Sequence, residues 1–375
     1  REFLKFPFFG PWRAIKKVTG KSAEEIYSEM LKALKGQFKD DFSLKRGEAF
    51  SPPHYSHYSL PVKTGKGYYL YREDLDNYPA LIRYVPETQS EEIIKEALLT
   101  DEHSFTATRS GEDLYYTCFS SHPYRIYGPV LQSDLFNYNL TRGRSRQITK
   151  GARLRHPAVS PDGQFLLAVQ IKGSDSQLVR VDPQSGGIQV LYYRPGARID
   201  YPVFSPDGRR IAFSLNKAGM QDIYLLEIPA GGERWKQRGP GEAISLTGCN
   251  YEGDYAPRFM DNEHILFVSD RNGRLELFSV SIKDREVRLL FQDPVGILAG
   301  MKTENGLLYQ TYSTQGFCLK EKAWEESLFI LQEPGVELIP PHTHKPQALA
   351  DSTPFHDPAL PLFWLPYPSL QHLWT

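Results

Sequence analysis

The phrase Ser160-Pro161-Asp162-Gly163 returns as Ser205-Pro206-Asp207-Gly208, 45 positions further on (163 against 208). Each copy has a proline three residues upstream, Pro157 and Pro202, and a strand-like run just after it, 165–169 and 211–214. The phrase suits a type I turn. Proline presets φ at the second position, Asp tolerates the third, and Gly accepts the positive φ that follows. A period of about 40–45 residues, with several short strands per unit, is the signature of a β-propeller in which each repeat builds one blade.

With that anchor, weaker copies of the turn appear. Lys63-Thr64-Gly65, Ser110-Gly111-Glu112, Met260-Asp261-Asn262 and Glu304-Asn305-Gly306 each precede an apolar run, which makes six candidate inner turns. A second landmark follows each turn. Asp222-Ile223-Tyr224-Leu225 has counterparts in Asp134-Leu135-Phe136, Gln177-Leu178-Val179, Glu276-Leu277-Phe278, Ala80-Leu81-Ile82 and, poorly, Cys318-Leu319. Alternating apolar and polar residues read as half-buried strands. Residues 55–331 then divide into six units of about 46 residues, a blade's length. The expected fold is all-β: a six-bladed β-propeller of four-stranded blades, with a helical flank over 1–54 and a Pro-rich tail over 332–375. Blades three to five should be regular, and blades one and six less so. Phe204, Ile211, Phe213, Tyr224, Phe259, Leu266, Phe267 and Phe278 should pack between blades.

Pro-x-x-Ser-Pro-Asp-Gly, a strand, then Asp-Ile-Tyr and a second strand resembles the TolB-like repeat shared with tricorn-type propellers. The resemblance covers about three quarters of the chain and is sharpest over 151–290. Blade six departs most, with no proline before its turn and no acid at the second landmark. The resemblance implies a bacterial, extracytoplasmic six-bladed propeller. It does not imply one activity, since such folds host many.

The 375 residues carry a net charge of −1. Lys and Arg are scattered, so no basic face suggests nucleic acid. Cys118, Cys249 and Cys318 are an odd, sparse set and no disulfide framework. No run approaches the roughly 20 apolar residues of a membrane helix, so no direct span is expected. The chain begins with Arg1, which reads as processing or excision from a longer parent.

Residues 21–39 read as a helix, with Ser22 as N-cap and Glu25 completing a capping box. The segment from Phe9-Gly10-Pro11-Trp12 to Glu25 resembles the closing helices of gluzincin peptidase domains; a helical strap on the propeller is the alternative. The tail carries nine prolines between Pro334 and Pro368, which disfavour helix and ladder alike. It is read as an extended tail lying on the propeller, or as a lead into a downstream domain. In some multidomain relatives such a segment precedes an outer-membrane barrel.

Catalytic signatures are missing from the sequence. There is no His-Glu-x-x-His, no Gly-x-Ser-x-Gly and no phosphate-cradling glycine loop. No cofactor or metal is expected: turn chemistry accounts for Asp162 and Asp207, and His342, His344 and His356 sit in the tail as loop histidines. One constellation emerges from the repeat. Counting back eight residues from each turn glycine gives His57, His103, Arg155, Asp200 and Leu298, and the next position gives Tyr58, Ser104, His156, Tyr201 and Ala299. Blade five, whose turn differs by one residue, contributes Asp254 or Tyr255. These residues should ring one mouth of the channel, a polar and aromatic opening suited to a protein or peptide partner. The expected function is a non-catalytic binding module of a larger bacterial envelope protein, periplasmic or outer-membrane associated. The alternatives are the gating propeller of a peptidase whose catalytic domain lies elsewhere in the parent, and a propeller enzyme acting at the mouth.

Overall fold

The computed structural model describes residues 10–37, 39, 44, 46–52, 55–124, 128–228, 242–248, 252–314 and 316–323. Cys249, His342, His344, His356 and the Pro-rich tail lie outside the described residues.

Among the described residues the strands form six antiparallel sheets. Blade three is the plainest. Leu154–Val159, Leu166–Lys172, Asp175–Val181 and Ile188–Tyr193 pair in sequence order from the inside outward. Blade four repeats it with Ala197–Phe204, Arg210–Lys217, Met220–Glu227 and Ala243–Ser245, and blade five with Asp254–Phe259, His264–Ser269, Glu276–Ser281 and Val287–Phe291. In blade two, which opens on Phe105–Ala107, the middle strands Asp113–Tyr124 and Gly128–Asn139 make a hairpin of twelve residues a side.

The expected irregularity falls on blades one and six. In blade one the inner strand is broken: Ser56–Tyr58 and Val62–Thr64 both pair with Gly67–Asp74. Among the described residues blade six has three strands of its own, Ala299–Lys302, Gly306–Ser313 and Gly316–Ala323. Its fourth is Glu48–Ala49, which lies ahead of the first blade and pairs antiparallel with Lys320 and Glu321. Around it, the Phe50 N–H donates to the Leu319 carbonyl at 2.9 Å, and the Tyr84 hydroxyl of blade one donates to the Phe50 carbonyl at 2.6 Å. The two ends of the ring are thereby joined.

The repeated phrase folds as its chemistry demands. The Ser160 hydroxyl donates to Asp162 at 2.6 Å, and the carboxylate accepts the Gln164 N–H at 3.1 Å. Ser205 and Asp207 repeat the arrangement with Arg209, and Gly163 and Gly208 take φ of 72° and 70°.

A second shared device lies inside the inner strands of blades three to five. The pairing slips between Arg155 and Ala158, between Asp200 and Val203, and between Tyr255 and Arg258. The bulged residues His156, Tyr201 and Ala256 have φ of 51°, 54° and 48°, and each is followed by a proline, Pro157, Pro202 or Pro257. Proline is tolerated there because a bulged position donates nothing to the ladder. A non-glycine residue in this region costs about 1 kcal/mol. Keeping that strain at one place in three successive blades points to a role for the side chains it aims.

The core lies between neighbouring sheets. Ile211, Phe213, Leu266, Phe267 and Phe278 are buried as expected, while Phe204, Tyr224 and Phe259 are partly buried at its edge. Phe213 sits between the rings of Tyr192 and Tyr224, at centroid distances of 5.3 and 6.1 Å.

In the flank, the expected helix runs Ala23–Gln37, and its capping box forms: the Ser22 N–H donates to Glu25 at 2.7 Å and the Glu25 N–H to the Ser22 hydroxyl at 3.2 Å. A helix over Gly10–Thr19 precedes it. It lies in the segment from Phe9 to Glu25 that reads as helical by resemblance, and Pro11 in its first turn is a helix-start signal.

Because Phe213 is fully enclosed, Phe213→Ala should cost about 3–5 kcal/mol in a urea melt. A loss below about 1 kcal/mol would mean that the ring is not packed between blades three and four.

Candidate functional site

The bulges aim their side chains at the ring axis. His156 of blade three and Tyr201 of blade four stack with ring centroids 4.6 Å apart and planes 20° from parallel. His103, from the loop before the inner strand of blade two, meets the Tyr201 ring edge-on at 5.1 Å. The Tyr201 N–H donates to His156 Nδ1 at 3.3 Å, so the opposite nitrogen, Nε2, is the one that donates to Asp101 at 2.7 Å. Asp101 also accepts the His103 N–H at 2.9 Å and the Ser104 hydroxyl at 3.0 Å.

Further contacts stitch the blades around this centre. Arg155 of blade three donates to Asp200 of blade four at 2.9 Å, and Arg198 donates to the other oxygen of Asp200 at 2.8 Å. Gln310 of blade six donates to the Tyr58 carbonyl of blade one at 2.8 Å and to Glu102 of blade two at 3.0 Å. A cavity of about 230 Å³ runs from the His103–His156–Tyr201 cluster along the inner strands toward the Ser-Pro-Asp-Gly end. All six blades line it: Val62, Phe105, Ala158, Val203, Arg258 and Met301 take one place each. It is therefore the central channel.

The electrostatics follow from the enclosure. Burial works against the Asp101 carboxylate, but the His156 hydrogen bond and charge, with His103 and Ser104, hold it down at about 2. Burial, then the positive charge of Arg258, depresses His103 to about 3. Burial and then Asp200 push the Tyr201 hydroxyl up to about 12.

Of the residues expected at the mouth, His103, Arg155, His156, Asp200 and Tyr201 form one contact network. The other three stand apart. His57 is exposed, with its ring against Phe317 at 4.7 Å. Blade one's turn is two residues shorter than that of blade three, so counting back from Gly65 overshoots; the bulge register makes Ser59 and Leu60 the counterparts of Arg155 and His156. Asp254 is fully buried and accepts from Arg271 at 3.0 and 3.2 Å within blade five. Strand alternation makes it the counterpart of Leu154 and Ile199, which also face into the core. Tyr255 is the counterpart of Asp200, but its ring packs into the apolar clusters on both sides. Asp101, Glu102, Arg258 and Gln310 were not anticipated. A signal existed for Arg258: it directly follows Pro257, in a bulge frame shared with Pro157-Ala158 and Pro202-Val203. Among the described residues no group of His, Cys, Asp and Glu side chains has a metal-binding arrangement.

Residues 143–316 match the family model described as the TolB beta propeller domain. No curated protein matches the chain. Among solved structures, putative TolB from Agrobacterium tumefaciens aligns at a TM-score of 0.50 and 18% identity, over 72% of this chain and 91% of that one. At that identity the likeness shows a shared fold. TolB from Acinetobacter baumannii aligns at 0.48 and 17% identity, over 62% of this chain and 53% of that one. A puromycin-hydrolyzing peptidase of Mycobacterium tuberculosis aligns at 0.48 and 15%, over 73% and 48%. The chain thus spans about half the length of the Acinetobacter protein and of the peptidase.

The low His103 value has a consequence for stability. Unfolded His103 takes up a proton near pH 6.5; folded His103 does so only near pH 3. The unfolded state therefore holds more protons in between, and stability should fall as pH drops through that window. His103→Gln should flatten the dependence between pH 6 and 4.5 by up to about 1.4 kcal/mol per pH unit, read from urea melts. Equal slopes in the two proteins would show that His103 titrates normally.

Proposed function

We propose that this chain, which belongs to the TolB-like (PD40-repeat) six-bladed β-propeller family, is a non-catalytic module that binds a protein or peptide segment at its channel mouth. One observation carries the reading: four neighbouring blades bring His103, His156, Tyr201 and Arg258 around a single concave channel. A recessed site with a few convergent polar groups among apolar walls is the usual form of a binding site. The stacked rings offer faces and edges to an extended segment, and the strained bulges hold them in place before any partner arrives.

The working unit is the ring of residues 55–331, with the closing strand Glu48–Ala49 lent by the 1–54 flank. Residues 332–375 link it to a neighbouring domain of a larger bacterial envelope protein, a peptidase or an outer-membrane domain. The TolB-type repeat supports a periplasmic or outer-membrane-associated setting. No helix among the described residues is long and apolar enough to cross a membrane. The even charge balance gives nucleic acid no footing.

The test is selection from a random-peptide display library, followed by binding of the recovered peptides to variants. Asp200→Asn with Tyr201→Asn removes the mouth's charge and ring, while asparagine tolerates the φ of 54° at position 201. This double variant should melt cooperatively yet bind at least about tenfold more weakly, the loss of one good charged or stacked contact. Lys66→Ala with Arg209→Ala, on the opposite, turn-bearing face, should change nothing. The reverse pattern would make the mouth a solvated rim and move the binding surface to the other face.

A further inference from the structure

Arg258 is the anomaly of the channel. Its counterparts in blades three and four are Ala158 and Val203, small apolar residues that need no partner. Arg258 places a guanidinium at that position, on the wall of the cavity. It makes no hydrogen bond or ion pair with any described residue, although no other side chain in the protein carries more donors. Most arginines of the inner blades are paired: Arg155 with Asp200, Arg271 with Asp254, Arg274 with Glu276.

The walls explain why Arg258 has no partner. No Asp or Glu lines the cavity. The acids nearest the axis are engaged elsewhere: Asp101 holds His156, Asp200 holds Arg155 and Arg198, and Glu102 holds Gln310. Lys63, the other cation on the wall, is paired with Glu304 at 2.9 Å. Tyr201, also on the wall, has a hydroxyl with no hydrogen-bond partner among the described residues. The cavity thus offers a charged fork and an unused hydroxyl donor, with nothing negative facing them.

A half-buried cation facing a recessed cavity without a counter-ion is costly, and a planar anion would offset that cost by taking two of its donors at once. The volume of about 230 Å³ is below the range of sites for drug-sized ligands. It suits one carboxylate-bearing group, and the apolar remainder of the wall (Phe105, Val203, Met301) suits the chain that carries it. We infer that the channel binds a peptide carboxylate, with the Arg258 guanidinium as its anchor and the Tyr201 hydroxyl as a second donor. The inference rests on the peptide-binding reading above and names the chemistry that the partner must present. The depression of His103 by burial and by Arg258 fits it, since a neutral imidazole leaves the positive charge of that wall on Arg258.

The carboxylate can come from an acidic side chain or from a chain terminus. Three blocked tripeptides separate the sources: acetyl-Gly-Glu-Gly-amide, acetyl-Gly-Gly-Gly with a free terminus, and acetyl-Gly-Gln-Gly-amide as the neutral control. Binding is followed on the whole chain by NMR shifts of the arginine side-chain N–H groups and of the tyrosine rings. At least one acidic peptide should bind about tenfold or more tightly than the control, as expected for a charge-assisted pair. Arg258→Gln should erase that difference, and Arg258→Lys should keep part of it. Arg258→Gln should also melt no lower than the parent, because it removes an unpaired charge. Equal affinity for all three peptides, or a preference that survives Arg258→Gln, overturns the inference and leaves peptide binding at the channel standing. A clear drop in melting temperature for Arg258→Gln would show that the guanidinium serves the fold. Absence of binding by all three peptides counts against both the inference and the reading beneath it.

Discussion

Two residues close the ring. Blade six ends with Gly316–Ala323, and the outer edge of that strand is covered by Glu48–Ala49 from the far end of the chain. A strand edge left open would present unpaired N–H and C=O groups, and a six-sheet ring left open would expose two apolar sheet faces. The seam is reinforced from both sides. The Gly47 N–H donates to the Tyr309 hydroxyl at 2.8 Å, which itself donates to the buried Asp293 at 2.9 Å. Leu60, Leu70 and Ile82 of blade one share a cluster with Leu308 and Leu319 of blade six, and Phe50 lies in the same cluster. Only a closed ring brings the six inner strands to one axis, so the channel exists by virtue of this seam.

Once the ring is closed, the bulges decide what the channel contains. A regular inner strand would alternate its side chains between the two neighbouring sheets. Inserting His156, Tyr201 and Ala256 with positive φ breaks the alternation and turns side chains to the axis. Three blades use one backbone device to deliver three different groups: an imidazole, a phenol and a methyl. The methyl of Ala256 leaves room, and two residues later Arg258 stands in the frame that its neighbours fill with Ala158 and Val203. The scaffold is repetitive and the channel lining is not, so a fold shared by many proteins presents its own set of side chains here.

The fold was legible because turn chemistry repeats. Ser-Pro-Asp-Gly needs its own four residues and little else, so it survives in sequence, and the apolar landmarks after it mark the second and third strands of each blade. The mouth was legible in part. Counting from the turn found His103, Arg155, His156, Asp200 and Tyr201 because blades two, three and four have turns of one length. It missed in blade one, where the turn is shorter; in blade five it reached the right position, Tyr255, but that ring packs into the apolar clusters on both sides, and the prolines at 157, 202 and 257 mark the shared bulge more directly. Asp101 and Glu102 were out of reach, since they lie on a loop before blade two that carries no repeat. The closing strand was out of reach as well. Glu48–Ala49 is two residues long and exposed, and its pairing is fixed by the ring and not by any local preference.

The channel depends on that seam, and the most direct test is to remove it. A chain beginning at Tyr55, which keeps all six sheets but lacks the closing strand and Phe50, can be compared with the whole chain by calorimetry and by amide exchange at Leu319 and Tyr309. Loss of the single cooperative transition, or a fall in its midpoint of more than about 10 °C, together with fast exchange in Gly316–Ala323, is the expected result for several kilocalories of lost pairing and packing. An unchanged midpoint with blade six still protected would contradict it, and would mean that the six sheets hold their channel without the closing strand.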